Sequence, residues 1–159
     1  MPDMLVKLYE LPPIEPVLER LKTAGIIIRR PIPAEKHLIC EWVRDQFGNG
    51  WYSECEVSFS RVPLACFIAQ KENQLMGFAC YDVVRRGFFG PTGVDETMRG
   101  QGAGLALLLA CLHDMEAVGY GYGIIGAAGP VDFYKRIGAV EIPDSWPGVY
   151  QNMLQETQE

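Results

Sequence analysis

The sequence predicts a mixed α/β (α+β) fold in which a largely antiparallel central sheet carries helices on both faces. Three observations predict it. Short β-branched and aromatic runs alternate with segments whose apolar residues recur every three or four positions. The runs ACFIAQ and QLMGFACYDVV flank the polar turn KEN, a hairpin signature. Glycine or proline punctuates most of the boundaries.

The elements follow in order. Residues 1–25 differ in style from the rest and are expected to form an N-terminal appendage. VKLYEL reads as a short strand, LPP breaks it, and Ile14, Val17, Leu18 and Leu21 fall at helical spacing. Such a segment is expected to cover a sheet edge or a neighbouring subunit, which points towards a homodimer. The main domain is expected over 26–159. IIIRR, β-branched and short, reads as a buried strand. PIPAEKHLICEWVRDQFGNG reads as a helix, because Leu38 with Trp42 and Ile39 with Val43 are i,i+4 pairs and Gly48 supplies a stop. WYSECEVSFS fits either a helix or an alternating strand.

RRGFFGPTGV continues the hairpin as a third strand. Gly90, Pro91 and Gly93 sit badly inside one, since proline cannot donate to the ladder and glycine marks a bulge or a close backbone approach. This strand is therefore expected to stand partly away from a neighbour. The helix from Gly102 to about Val118 is apolar nearly all round through its first three turns and should be buried, with Gly119 as its stop. YGYGIIG is the next strand. GPVDFYKRIG is a short helix with Pro130 at its first position and Gly138 past its end. AVEI and VYQNML are expected as two final strands, divided by the turn residues of PDSWPG.

The balance of 14 basic and 20 acidic residues, a net charge of −6, argues against a broad nucleic-acid footprint, which needs clustered Lys and Arg. No stretch approaches the ~20 apolar residues of a membrane span. The start, MPDMLVKLYEL, has no apolar run followed by a small-residue cleavage pattern, so no secretory signal is expected. Five cysteines without a CxxC pair suit neither a disulfide framework nor a metal site by spacing. Free thiols in a cytoplasmic protein are the expectation, with Cys80 and Cys111 as small buried hydrophobes.

Chemistry concentrates in VDETMRGQGAGLALLLACLHDM, residues 94 to 115. The first four N–H groups of a helix lack intrahelical partners and, with the helix dipole, form an anion site. Gly100, Gly102 and Gly104 carry no Cβ, so phosphate oxygens can approach the chain closely. No Lys or Arg lies between Gly100 and Tyr134, which leaves backbone amides and Arg99 to hold an anion. A Walker A loop would need Lys and Ser/Thr after its last glycine, where Leu105 and Ala106 stand. A Rossmann loop would need a third glycine where Leu105 or Leu107 falls, so both registers fail.

Arg99-Gly100-Gln101-Gly102-Ala103-Gly104 resembles the Arg/Gln-x-x-Gly-x-Gly/Ala loop of the GNAT superfamily of N-acetyltransferases. Downstream, Phe133-Tyr134-Lys135-Arg136-Ile137-Gly138 resembles that family's Phe/Leu-Tyr-x-x-x-Gly segment. The resemblance covers roughly residues 26 to 154. It implies a GNAT-like sheet with a splayed strand pair, and acetyl-CoA as co-substrate. It also implies that Arg99, Gly100, Gln101, Gly102, Ala103 and Gly104 bind the coenzyme pyrophosphate. Val94 would pair with the pantetheine arm, Phe133 would adjoin the coenzyme, and Tyr134 would serve the leaving thiolate. The chain departs from the family pattern at Glu96 (often Pro), Ala127 (often Asn) and Ala139 (usually aromatic).

The reaction so implied is direct attack of an amine on the acetyl thioester, with a small-molecule or peptide amine as acceptor. An amine of pKa ~10.4 costs roughly 4–5 kcal/mol to deprotonate at neutral pH, so a base or a water chain helps. No base is evident: the strand RRGFFGPTGV holds no carboxylate, and Glu54, Glu56 and Asp82 read as surface charges. His37 and His113 have no paired acid at triad spacing. That gap leaves a second expectation open, a non-catalytic acyl-CoA-binding sensor or regulatory domain.

Overall fold

The computed structural model describes residues 1–157. Seven strands form one sheet: β1 (Met4–Lys7), β2 (Ile26–Arg29), β3 (Cys66–Lys71), β4 (Gln74–Tyr81), β5 (Phe88–Val94), β6 (Tyr122–Ile125) and β7 (Val140–Glu141). Their spatial order is β2-β3-β4-β5-β6-β1-β7. Every neighbouring pair is antiparallel except β5 with β6. The expected mixed, largely antiparallel sheet is the observed one. Two residues, Glu72 and Asn73, close the β3–β4 hairpin, with Glu72 in the left-handed region at φ 53°.

Side chains on β3 and β4 alternate between two cores, as the two-residue period of a strand requires. Phe67, Ala69, Ala79 and Tyr81 pack into the core beneath α4 (Ala103–Ala117). Cys66, Ile68, Phe78 and Cys80 pack beneath α2 (Lys36–Phe47) and α3 (Asn49–Val57) on the other face. Helix α4 buries Leu107, Leu108, Leu112 and Met115 completely, matching its apolar circumference. Its flank is closed by α1 (Glu15–Thr23), which buries Val17 and Leu21.

Residues 1–25 are part of this core, which corrects their expected status as an appendage. Strands β6 and β7 run parallel, joined by the crossover through α5 (Val131–Lys135), and leave a gap one strand wide. Strand β1 fills it antiparallel to both, with Met4 paired to Ile125 on one side and to Glu141 on the other. Met4 and Val6 point into the core and are buried. A four-residue strand whose partners lie more than a hundred positions downstream leaves no local trace of its place in a sheet.

Other expectations are corrected. IIIRR forms β2 but at the sheet edge, where Ile27 is 51 % exposed and only Ile26 is buried. Of the two apolar pairs read on α2, Ile39 and Val43 face the core, whereas Leu38 is exposed. WYSECEVSFS is helical through Val57. Pro130 precedes α5 as its N-cap, one position before the helix starts. VYQNML makes no strand, since Gly148–Tyr150 is a 3₁₀ turn and β7 is the last strand among the described residues. No helix there is long and apolar enough to cross a membrane.

The N-terminal segment should be indispensable. Met4, Val6, Leu8, Val17 and Leu21 are all buried. At roughly 1.5–3 kcal/mol per buried apolar side chain, their sum matches the whole ~5–15 kcal/mol stability of a domain. Deleting residues 1–24 is expected to abolish the cooperative melt seen by circular dichroism. A truncated chain that still melts as one unit would contradict this account.

Candidate active site

The site begins with a defect in β5. Gly77, Phe78 and Ala79 pair with Val94, Gly93 and Thr92, but the next pair is Tyr81 with Phe89. One residue on β4 thus faces two on β5, and the extra one falls at Gly90-Pro91, inside the stretch where the sequence predicted a bulge. Gly90 has φ 120°, a conformation that side chains avoid. On its other side β5 meets β6 over only two pairs, Phe88 with Ile124 and Phe89 with Ile125. Beyond them the chains part, β6 ending at Ile125 and β5 continuing to Val94. This is the expected splayed pair.

The parting strands open into a cleft of about 1690 Å³. Phe89, Gly90, Pro91 and Thr92 form one wall, and Ile125, Gly126 and Ala127 form another. Phe47, Trp51 and Glu54 descend from α2 and α3, while Trp146 and Tyr150 come from the C-terminal segment. The turn leaving β6 is held open from afar. Asp3 Oδ1 accepts from the Ala127 amide at 2.8 Å, and the Pro2 carbonyl accepts from the Ala128 amide at 2.8 Å. Ala127, which stands where the family often has Asn, takes φ 46° there.

At the far end of β5 the glycine loop turns into α4. Asp95 Oδ1 accepts from the Thr97 hydroxyl at 2.6 Å and the Thr97 amide at 2.9 Å, bonds that hold its carboxyl below the ordinary range. Arg99 Nε donates to the Val94 carbonyl at 3.4 Å, so the arginine folds back along the strand end. Gly100 and Gly102 take φ 85° and 97°. Gly102 precedes α4 with no side-chain cap, leaving the first amides of the helix, from Ala103 and Gly104 on, without intrahelical partners. A Cβ on Gly104 would lie 3.8 Å from both Phe133 Cζ and Val94 Cγ2, which places these three expected residues around one point. Gln101 is exposed in the loop beside Met98.

Tyr134, on α5, lines the cleft against β5 and is only 5 % exposed. Its ring lies edge-on to Phe133 and Phe89, with centroids 5.0 and 6.4 Å away. Burial pushes its phenol up to about 12, so it stays a proton-bearing donor across the working range. Glu54 faces the same cleft from α3, and burial raises its carboxyl above the ordinary range. Tyr150 is raised by burial, by the charge of Glu54 and by that of Asp3.

The remaining candidates lie elsewhere. Glu56 pairs with Lys36 at 3.7 Å on the outer side of the helix pair. Asp82 accepts from Arg61 (3.2 Å), Tyr120 (3.0 Å) and the Gly87 amide (2.7 Å), which makes it a structural anchor. His37 is exposed on α2, and the His113 ring bonds the Pro12 carbonyl at 2.9 Å. No motif in the sequence includes Arg20. Its Nη2 lies 3.9 Å from where a Cβ on Gly102 would stand, bringing a second guanidinium beside the glycine loop. Only its place on the exposed side of the α1 stripe hinted that it was available.

A model described as the acetyltransferase (GNAT) family matches residues 36–139. The chain belongs to this family of acetyltransferases. Solved structures share the fold. A GCN5-related glucosamine N-acetyltransferase region of a fungal multi-domain β-N-acetylglucosaminidase superposes with a TM-score of 0.73 at 14 % identity, over 89 % of this chain and 19 % of that one. A GCN5-related N-acetyltransferase from Sphaerobacter thermophilus gives 0.67 at 20 % identity, over 89 % and 48 %. A GNAT acetyltransferase from Brucella melitensis, solved with acetyl-CoA, gives 0.53 at 17 % identity, over 74 % and 88 %. The chain spans less than half the length of the first two. A comparison with curated proteins gives no match.

Proposed function

We propose that this protein is an acetyl-CoA-dependent N-acetyltransferase that passes the acetyl group to an amine by direct attack on the thioester. The observation that carries the proposal is a single cleft into which the parted strands β5 and β6, the phenol of Tyr134 and the carboxylate of Glu54 all open. The acetyl-CoA in the Brucella relative supports the same co-substrate here. The pyrophosphate would sit on the amides from Gly100 to Gly104, with Arg99 and Arg20 supplying the positive charge those amides lack. The pantetheine would lie between β5 and β6, where its amides can pair with strand groups that the splay leaves open near Val94. Phe133 would pack beside it.

Glu54 is the base in this reading. A carboxylate raised by burial is a better proton acceptor than a free one, and it sits in the wall of the cleft. It removes one proton from the ammonium form of the acceptor, and the neutral amine then attacks the carbonyl carbon. The tetrahedral oxyanion needs an N–H donor, which the opened β5 backbone offers. When the C–S bond breaks, Tyr134 donates a hydrogen bond to the thiolate. Its phenol, near 12, holds its proton more tightly than a thiol of ~8.5 would. The proton that finally neutralises the thiolate therefore originates on the attacking nitrogen, with Tyr134 as relay.

The acceptor would be a cationic amine carrying an apolar or aromatic body, either a small molecule or a peptide end. Among the described residues lining the cleft, the charged side chains are Glu54 and Glu156, and no Lys or Arg joins them. Trp51, Trp146 and Tyr150 supply aromatic faces that attract cations. A carboxylate in the cleft wall favours turnover over the sensor role that the lack of an evident base suggested.

Three outcomes test this reading. Calorimetric titration with acetyl-CoA is expected to show micromolar binding, lost in a folded Gly102→Glu variant whose carboxylate opposes the phosphates. Tyr134→Phe should lower kcat by about 10²-fold or more while leaving acetyl-CoA affinity near native. Equal loss of both would reduce Tyr134 to a packing role. Glu54→Gln should lower kcat/KM and remove the acidic limb of its pH profile, because the native rate falls as Glu54 gains a proton. Stability should move oppositely. A carboxyl raised in the folded state favours folding only while protonated, a contribution lost as pH rises through its folded value. Glu54→Gln is therefore expected to melt higher than native at neutral pH, and a lower Tm would contradict the burial argument.

A further inference from the structure

The second core holds a feature that the transferase reading leaves unused. Cys55 on α3, Cys66 on β3 and Cys80 on β4 converge so that all three sulfur atoms lie within 4.8 Å of one another. Cys66 and Cys80 stand directly opposite each other across the β3–β4 ladder, and Cys55 reaches down onto them from the helix above. All three are fully buried. The spacing 55, 66, 80 contains no metal-binding pattern, and the convergence exists only once α3 lies on the sheet.

The geometry points to a structural site for a thiophilic divalent cation of the zinc or cadmium type, held by Cys55, Cys66 and Cys80. Sulfurs bound at ~2.3 Å to one ion stand about 4 Å apart. The observed cluster lies within about an ångström of that arrangement, so side-chain adjustment alone can close it.

Apart from tyrosines and cysteines, Ser58 is the one buried polar or charged side chain among the described residues, and it lies one turn beyond Cys55, donating to the Cys55 carbonyl at 2.6 Å. It fixes the end of α3, the helix from which Cys55 reaches the sheet.

Charge selects the ion class. The surrounding side chains Ile39, Val43, Ile68 and Phe78 are apolar, so net charge is costly there. Binding releases three thiol protons and leaves one negative charge with a divalent ion, against two with a monovalent one. The completed site would tie α3 to β3 and β4, and α3 carries Trp51 and Glu54 into the cleft. The inference stands independently of the proposed transfer reaction.

The test uses the full, reduced chain with cadmium as the probe. Because the cluster is closed to solvent, the metal is supplied both to native protein and during refolding. One equivalent is expected to bind, read by the ultraviolet thiolate-to-cadmium band. At a hundredfold excess over Kd the Tm should rise by roughly 5–10 °C. Cys66→Ala and Cys80→Ala should each lose stoichiometric binding, whereas Cys111→Ala, which removes a buried thiol outside the cluster, should keep it. Circular dichroism of each variant establishes that it is folded. Should either folded cluster variant retain the band, or the native chain refold with cadmium and hold none, the site does not exist. Binding confined to the denatured chain would overturn it equally.

Discussion

Two pairs of residues, Phe88 with Ile124 and Phe89 with Ile125, are the whole backbone seam between the two halves of the sheet. On one side lie β2 to β5, on the other β6, β1 and β7. So short a parallel contact cannot bind the halves by hydrogen bonding alone, because each bond contributes only about a kilocalorie net. Helix α4 bridges them instead. It packs against β3, β4 and β5 on one side of the seam and against β6 on the other, and this explains why it is apolar around its circumference. A helix with one buried stripe could not cover a sheet that is parting beneath it.

The same seam creates the cleft. In a sheet interior nearly every backbone amide and carbonyl is paired. Past Phe89 the bulge at Gly90-Pro91 and the end of β6 prevent that pairing, and the freed groups border the opening. An extended ligand bearing its own amides can complete the ladder there. The α4 N-terminus lies at the end of β5, because the chain passes from Val94 through one short turn into the helix. Strand groups, glycine loop and helix amides are therefore a consequence of one chain direction.

The roof of the cleft follows a different logic. Phe47 packs so closely over Gly93 that a Cβ there would come within 2.3 Å of its ring. Phe47, Trp42, Trp51 and Phe78 form one aromatic cluster between α2, α3 and β4. This packing fixes the height of α3 over the sheet and so the depth at which Glu54 meets the cleft. Part of that carboxylate is taken out of water, which disfavours the folded state and raises the carboxyl's affinity for a proton.

What the sequence determined by itself was whatever lies within a short window. The fold class, the β3–β4 hairpin, the bulge in β5 and the buried α4 were legible because periodicity, turn residues and proline placement act locally. The glycine loop and the Phe133-Tyr134 segment were legible because each is contiguous. Tertiary structure alone decided what depends on distant residues meeting. It placed β1 inside the sheet, made IIIRR an edge and left VYQNML out. It turned Glu54 into the cleft while its neighbour Glu56 faced Lys36, a difference of two residues on a helix whose orientation only packing sets. It also brought Arg20 to the glycine loop, Asp3 to the turn after β6, and three scattered cysteines to one point. No window of sequence contains those contacts, because their energy comes from surfaces that exist only after the chain has folded.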